Sequence, residues 1–426
     1  MQENRFQSLL ESLRFRLSLL RERLWIRPLL YCLTAVAATL LAGLADRFSL
    51  GRFAPVIAPS TVEKLLTILS SSMLAVATFA VSSMVAAYAS ASSTASPRAF
   101  SVVVSDDASK TALSSFVGAF IFSTVGVIAV QTGFYERAGL FVLFLLTLCL
   151  FAWVVLTFIR WVDRIARLGR MGHTIAKVED ATERAFGHWK ANIGSSAAAA
   201  DGLDSSAVSV MDERIGFVQN VDFAALQAYC EEQGAMLTVA ALPGTFCTPE
   251  RPIAHIQLED RGGAFPDVEP VRQAFVIGDE RTFHSDPRFG LIVLSEIAAR
   301  ALSPSVNDPG TAIAVIGSFT RLFADWEKVV EEPGVPEVEL DRVVIPPIAI
   351  ADMFEDAFLS LSRDGAPYVE VGLRLQRCFS ALETIGNEEM KRAARDFAQD
   401  ALRRAERALR HPGDMERLKR AAPAGE

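Results

Sequence analysis

The sequence predicts a membrane α-helical bundle of about four transmembrane helices, followed by a soluble α+β domain with a small β-sheet and a helical C-terminal part. Three observations predict it. Four long charge-free apolar stretches lie within the first 160 residues, short β-like runs appear only after residue 210, and the charge changes sign between the two parts. Residues 1–170 hold 16 Lys/Arg against 9 Asp/Glu, a net +7, whereas the remainder holds 26 against 41, a net −15, which together give the chain's −8. A positive mean hydropathy beside 22% charged residues therefore reflects segregation rather than a uniformly apolar chain. An acidic C-terminal part speaks against nucleic-acid binding, because contact with phosphates needs a basic face. The five cysteines (Cys32, Cys149, Cys230, Cys247, Cys378) are odd in number and widely spaced. That pattern suits free thiols in a reducing compartment better than a disulfide framework or a zinc site.

The apolar stretches cover residues 28–45, 65–97, 111–135 and 138–159. Each reaches the roughly 18 to 20 residues needed to cross a hydrocarbon core about 30 Å thick. The first has small residues, Gly43 and Ala45, ahead of Asp46, as a signal peptide would. The 27 residues that precede it carry six arginines, too long a leading region for a secretory signal, so a retained helix is expected. Within residues 1–27, Phe6, Leu10, Leu13, Leu17, Leu20 and Leu24 recur at spacings of four and three between arginines. This predicts an amphipathic helix, suited either to the anionic inner leaflet or to packing on the protein itself or a second subunit. Twelve Lys/Arg (Arg5, Arg14, Arg16, Arg21, Arg23, Arg27, Arg98, Lys110, Arg160, Arg164, Arg167, Arg170) lie on one side of the membrane. Four (Arg47, Arg52, Lys64, Arg137) lie on the other, so both termini are expected in the cytoplasm.

The second stretch is unusual. Between Lys64 and Arg98, Ser, Thr and Ala supply 20 of 33 residues, and one helical stripe reads Ser71, Ala75, Thr78, Ser82, Ala86, Ala89, Ser93. Small residues at this spacing permit close helix packing. The same hydroxyl-bearing face is suited to lining a water-filled path made by several copies of the chain. No Asp, Glu, Lys, Arg or His lies inside the four stretches, which counts against a proton-coupled pump.

Beyond the bundle, a polar helix is expected over residues 161–190, with residues 163–210 as a connecting helix and a linker rich in Ala, Ser and Gly. In the domain at 211–426, β-like runs fall at 216–221, 235–242, 253–258 and 271–277, with a helix at 223–233. From Pro287 the pattern is helical, interrupted by a strand-like run at 343–350 and an acidic loop at 331–339, and it ends in a charged helix at 387–409.

Walker, GxGxxG, GxSxG and HExxH motifs are absent and the five histidines are scattered, so no enzyme and no cofactor is expected. Asp279, Glu280, His284 and Asp286 fall close together, but no regular element would present all four on one side, and a solvated loop is the better reading. The stretch Ser303-Pro304-Ser305-Val306-Asn307-Asp308-Pro309 has a local explanation as a turn between two helices, ended by Ser303-Pro304 and restarted by Asp308 as N-cap with Pro309 at the first position. Its exposed N–H groups also offer an anion a place, with Arg300 the nearest basic residue.

Several pieces resemble a family of bacterial predicted membrane proteins, the domain of unknown function twenty-two fifty-four. They are Ala91-Ser92-Ser93-Thr94-Ala95-Ser96-Pro97-Arg98-Ala99-Phe100, Ser115-Phe116-Val117-Gly118-Ala119-Phe120, Gly216-Phe217-Val218-Gln219-Asn220-Val221-Asp222 and Pro243-Gly244-Thr245-Phe246. Asp286, Phe289-Gly290, Arg300-Ala301-Leu302-Ser303-Pro304 and Asn307-Asp308-Pro309 complete the resemblance. It implies a bacterial inner-membrane protein and brings no activity or catalytic residue. The expected partners are the lipid bilayer, other copies of the chain, and an ion or small-molecule ligand that the sequence leaves unidentified. If the charge imbalance sets the topology, a cysteine placed at residues 202–206 resists a membrane-impermeant maleimide added outside intact cells. Its modification there reverses the orientation.

Overall fold

The computed structural model describes residues 25–47, 55–94, 96–99, 102, 107–168, 170–193, 207–259, 266–331 and 340–423. Residues 1–24 of the expected amphipathic segment, 194–206 of the linker and 332–339 of the acidic loop lie outside the described residues. The described residues divide into two compact units, one holding those of 25–94 and 102–173, the other those of 96–99 and 174–423.

The first unit is a bundle of α1 (Ile26–Leu44), α2 (Pro59–Thr94), α3 (Asp107–Gln131) and α4 (Arg137–Leu168). Each contains a span long and apolar enough to cross a membrane. In hydrocarbon a chain must satisfy its own N–H and C=O groups, and four helices do so. Helix α2 has 36 residues, so it is about 54 Å long and exceeds the hydrocarbon core. It begins earlier than the charge-free stretch, taking in Glu63 and Lys64, and Glu63 accepts a hydrogen bond from Gln131 at the end of α3 (2.8 Å). One core joins Leu69, Met73, Ala77 and Ala80 of α2 to Phe116 and Ala119 of α3 and Trp161 of α4. A second gathers Ala42, Val62, Leu66, Phe122 and Leu143. Helix α3 comes close to α1 at Gly118, where an added Cβ would lie 3.1 Å from the Cβ of Tyr31. At the turn into α4, Asp46 accepts from the N–H groups of Glu136 (2.9 Å) and Gly139 (2.7 Å), serving the open donors of that helix start.

Helix α5 (Met171–Ile193), which lies in the second unit from Thr174 onward, is separate from α4 rather than part of the single helix expected over 161–190. The small sheet region consists of two sheets. One is ordered β1 (Val208–Met211), β5 (Pro252–Leu258), β3 (Ala235–Val239), β7 (Val343–Val344), with only the β3 and β7 pair parallel. The other is β4 (Phe246–Cys247), β2 (Gly216–Val221), β6 (Phe275–Gly278), all antiparallel. Helix α6 (Phe223–Gln233) follows β2, capped by Asp222 at Ala225 N (2.9 Å) and ended by Gly234 at φ +59, the left-handed region glycine occupies freely. Further expectations change in this region. Residues 208–210 belong to a strand, not to a linker, and the run at 271–277 divides into α7 (Glu269–Gln273) and β6. Pro270 near the start of α7 suits a helix and not a strand ladder.

The remainder is helical: α8 (Phe289–Ala301), α9 (Pro309–Glu331), α10 (Ile350–Asp364), α11 (Val369–Ile385), α12 (Glu388–Ala408) and α13 (Pro412–Ala421). The strand-like run at 343–350 keeps only two residues as β7 before α10 starts. Phe323, Phe354, Phe358, Phe379 and Phe397 form one ring cluster, with centroids 4.6 Å apart for Phe323 and Phe354 and 4.9 Å for Phe358 and Phe379. Edge and offset contacts of this kind add to the burial of large apolar area. Asn387 starts α12 by accepting from Glu389 N and Met390 N.

The turn between α8 and α9 is built as a cap. Asp308 Oδ1 accepts from Thr311 N (3.1 Å) and its Oδ2 from Thr311 Oγ1 (2.6 Å), so the carboxylate occupies the start of α9. Asn307 lies at φ +51, a conformation Asn tolerates, and its Oδ1 accepts from the Tyr368 hydroxyl (2.9 Å). Ser303 Oγ donates back to Arg300 O (2.7 Å), while Pro304 is exposed. Replacing Asp308 by Ala should lower the stability of the protein by about 0.5 to 2 kcal/mol, the usual cost of a lost cap. Thermal unfolding in detergent measures it, and unchanged stability with altered function would make the turn a binding site instead.

Candidate functional site

Two places concentrate the residues singled out above: the outer face of α2 and the loop leading into α8. Along α2, Val62, Leu66, Leu69, Met73, Ala77, Ala80, Met84 and Tyr88 recur at spacings of four and three, and all are buried within the bundle. The small stripe lies on the other side of the helix. Ser71, Ala75, Thr78, Ser82, Ala86 and Ala89 are all exposed, while the side chain of Ser93 lies outside the described residues. Close packing within the chain therefore does not use this stripe. Its described hydroxyls are satisfied within the helix: Ser71 Oγ donates to Thr67 O (3.0 Å), Thr78 Oγ1 to Leu74 O (2.9 Å) and Ser82 Oγ to Thr78 O (3.1 Å). Ile68, Leu74, Phe79, Val81 and Val85 are also exposed and flank it with apolar surface. Hydroxyls bonded back to the turn before them still present acceptor oxygens, so the face remains able to meet either another helix or water.

The loop at 278–289 is fixed by residues drawn from distant parts of the chain. Asp286 is 1% exposed and accepts from Arg281 Nε (2.7 Å) and Nη2 (3.0 Å) and from Arg288 N (3.1 Å) and Phe289 N (3.2 Å) at the start of α8. Burial pushes its carboxyl above the usual value, against the pull of Arg281. The expectation of a solvated loop thus fails at Asp286, because the ion pair and two helix-start N–H groups replace water. Gly244, at φ +91, passes directly over this pair, and a Cβ there would lie 2.6 Å from Arg281 Nη2. From β2, Gln219 donates to Glu280 O (2.8 Å) and Asn220 accepts from Ser285 Oγ (2.7 Å). Gly290 allows α5 to approach, since a Cβ would lie 2.8 Å from Thr182 Cβ. These contacts give the Gly216 to Asp222, Pro243 to Phe246 and Phe289-Gly290 motifs a common physical role: they hold one loop.

The same loop brings His284 beside His188 of α5, with ring centroids 5.3 Å apart. Sequence reasoning singled out His284 with its loop neighbours but missed this pair, because 96 positions separate it from His188. No group of three or more His, Cys, Asp or Glu is assembled to hold a metal ion among the described residues. Nearby, Glu179 of α5 accepts from Ser318 Oγ (2.6 Å) and from Arg321 Nε (2.5 Å) and Nη2 (2.7 Å) of α9. Burial opposes its charge, yet these donors outweigh it and hold the carboxyl below its ordinary value. Arg300 is exposed at the end of α8, and Asp308 itself fills the start of α9 that an anion would need.

Comparison with known proteins gives the family but no activity. A family model described as predicted membrane protein (DUF2254) matches residues 21–381. Uncharacterized proteins of Mycobacterium bovis and of two Mycobacterium tuberculosis strains are each 45% identical over 67 residues, which is 16% of this chain and 12% of theirs. The matched segment thus spans a small part of those relatives. No solved structure matches the chain. With four apolar helices of spanning length and a family match over most of its residues, the chain is a membrane protein and belongs to the DUF2254 family.

Proposed function

We propose that the protein is an oligomeric permeation pathway of the bacterial inner membrane, in which the small face of α2 lines the path. The C-terminal domain, on the cytoplasmic side with both termini, then serves as assembly platform or gate, and no enzymatic chemistry is involved. One observation carries the reading: every described member of the stripe is exposed while the opposite face of the same helix is fully engaged in the bundle. Small side chains facing lipid give up the dispersion contacts that larger ones would make, so such a face is better matched to a second helix or to water. Several copies arranged around an axis would surround a path with hydroxyl oxygens, which substitute weakly for ion hydration and give modest selectivity in the absence of charged rings.

The second reading is a membrane-anchored sensor or scaffold whose spans only anchor and associate, while the C-terminal domain binds a partner or small ligand. The back-bonded hydroxyls of Ser71, Thr78 and Ser82 favour it, because hydroxyls whose donors are already used can pack against another helix in a dry interface. Ser82→Leu separates the two in one preparation. A lined path predicts oligomers of wild-type size with ion flux into liposomes lost by obstruction or dewetting. A packing face predicts that the bulky side chain splits the oligomer. Absence of flux through intact wild-type oligomers, across several ions, removes the permeation reading and leaves the scaffold.

A further inference from the structure

Helix α2 ends at Thr94, and the turn that follows is engaged by a residue two hundred positions later. Ser96 Oγ donates to Glu296 Oε2 on α8 (2.7 Å), and the Arg98 guanidinium pairs with Oε1 of the same carboxylate. Ser96 is 3% exposed and Ala99 1%, so the turn is seated and not merely adjacent. Pro97–Ala99 form one turn of 3-10 helix, in which Ala99 N donates to Ser96 O (3.0 Å) and Arg98 N to Ser96 Oγ (3.3 Å). Residues 95–99 accordingly group with the C-terminal unit, although both flanking segments, 13–94 and 100–173, belong to the bundle.

We propose that Glu296 is a positioning residue that clasps the turn after α2, so that the C-terminal domain holds the end of the helix bearing the small face. The exposed Arg98 pair contributes little alone, since its side chain is 58% exposed and such pairs are screened. The Ser96 bond is different. It is charge-assisted and its donor is buried, so losing the carboxylate leaves a buried hydroxyl without its acceptor. Both oxygens are used by residues two apart in a turn that Pro97 stiffens, and this fixes orientation as well as distance. Helix α8, in turn, is tied to α10 through Arg288, which donates to Asp356 Oδ2 (2.6 Å) and Asp352 Oδ2 (2.9 Å). Glu296 thus links the turn at 96–99 to a helix that is itself anchored at its other end. The clasp does not depend on the permeation reading. Only its consequence for flux does.

The test uses the full chain in lipid nanodiscs and reads amide hydrogen exchange at Arg98 and Ala99 together with the mobility of a spin label at Ala89. Glu296→Ala should speed exchange at these amides by about tenfold or more, the scale set by a lost charge-assisted bond, and loosen the label. Glu296→Gln keeps an acceptor for Ser96 and should fall between the two. The thermal midpoint of the C-terminal unit, followed in parallel, should move little, which separates release of the clasp from unfolding of α8. Equal exchange in the wild type, the Gln variant and the Ala variant overturns the proposal, as does faster exchange with an unchanged label. Should the Ala variant fail to fold, Ser96→Ala removes the same bond from the other partner, and unaltered exchange at Ala99 overturns it equally. Flux is not read, so the outcome stands apart from that of the permeation reading.

Discussion

Helix α2 has to meet two surroundings at once, and its sequence divides accordingly. Its larger apolar residues, from Val62 to Tyr88, supply the surface on which α3 and α4 pack. Without that seam the bundle would have no common core, because α1 and α4 turn mostly outward and expose Leu33, Leu41, Phe151 and Ile159. Between helices in lipid there is no hydrophobic driving force, so close shape and local hydrogen bonds have to hold them. The Ser70 and Thr124 hydroxyls, 3.1 Å apart between α2 and α3, are one such contact. The other face of α2 carries small residues that make no use of this bundle, and the functional reading begins from that asymmetry.

The C-terminal domain shows a comparable economy around one buried charge. Asp286 satisfies Arg281 and the start of α8 together, and the glycine at 244 lets a neighbouring loop close over the pair. A carboxylate this deeply buried is tolerable because its donors surround it, and a single missing partner would be costly. Helix α8 then becomes the element to which much else is attached: α5 through Gly290, α10 through Arg288, and the turn after α2 through Glu296. Asp286, Gly244, Gly290, Ser96 and Arg98, which take part in these contacts, lie within the motifs that resemble the family, and their types follow from that packing without any chemistry being assigned to them.

Spans and helices were legible in the sequence because they are local. Twenty apolar residues without charge, a Pro at a helix start or an Asn before a charged run carry their meaning within a few positions, as at α2 and at Asn387. The division of the run at 271–277 was missed because Val271, Phe275, Val276 and Ile277 are the β-branched and aromatic types that strands favour, and only Pro270 signals the short helix. The strand at 208–211 was hidden by the Ala- and Ser-rich residues before it. Contacts between distant residues were not legible at all. Nothing near Ser96 points to Glu296, and nothing near His188 points to His284, since such pairs exist only once the topology has brought them together. For the small stripe, sequence supplied the pattern, and the structure added which side of the helix it occupies.

The central claim is that this exposed face of α2 meets other copies of the chain. It is tested most directly by single cysteines at Ala75, Ser82 and Ala86, each in a chain whose five native cysteines are replaced, and cross-linked in native membranes with a short bifunctional thiol reagent. The account predicts cross-linked species of defined size from all three positions and none from a control at Ala80 on the packed face. Monomers throughout, with the three thiols modified only by a lipid-soluble reagent, would contradict it and place the stripe against lipid.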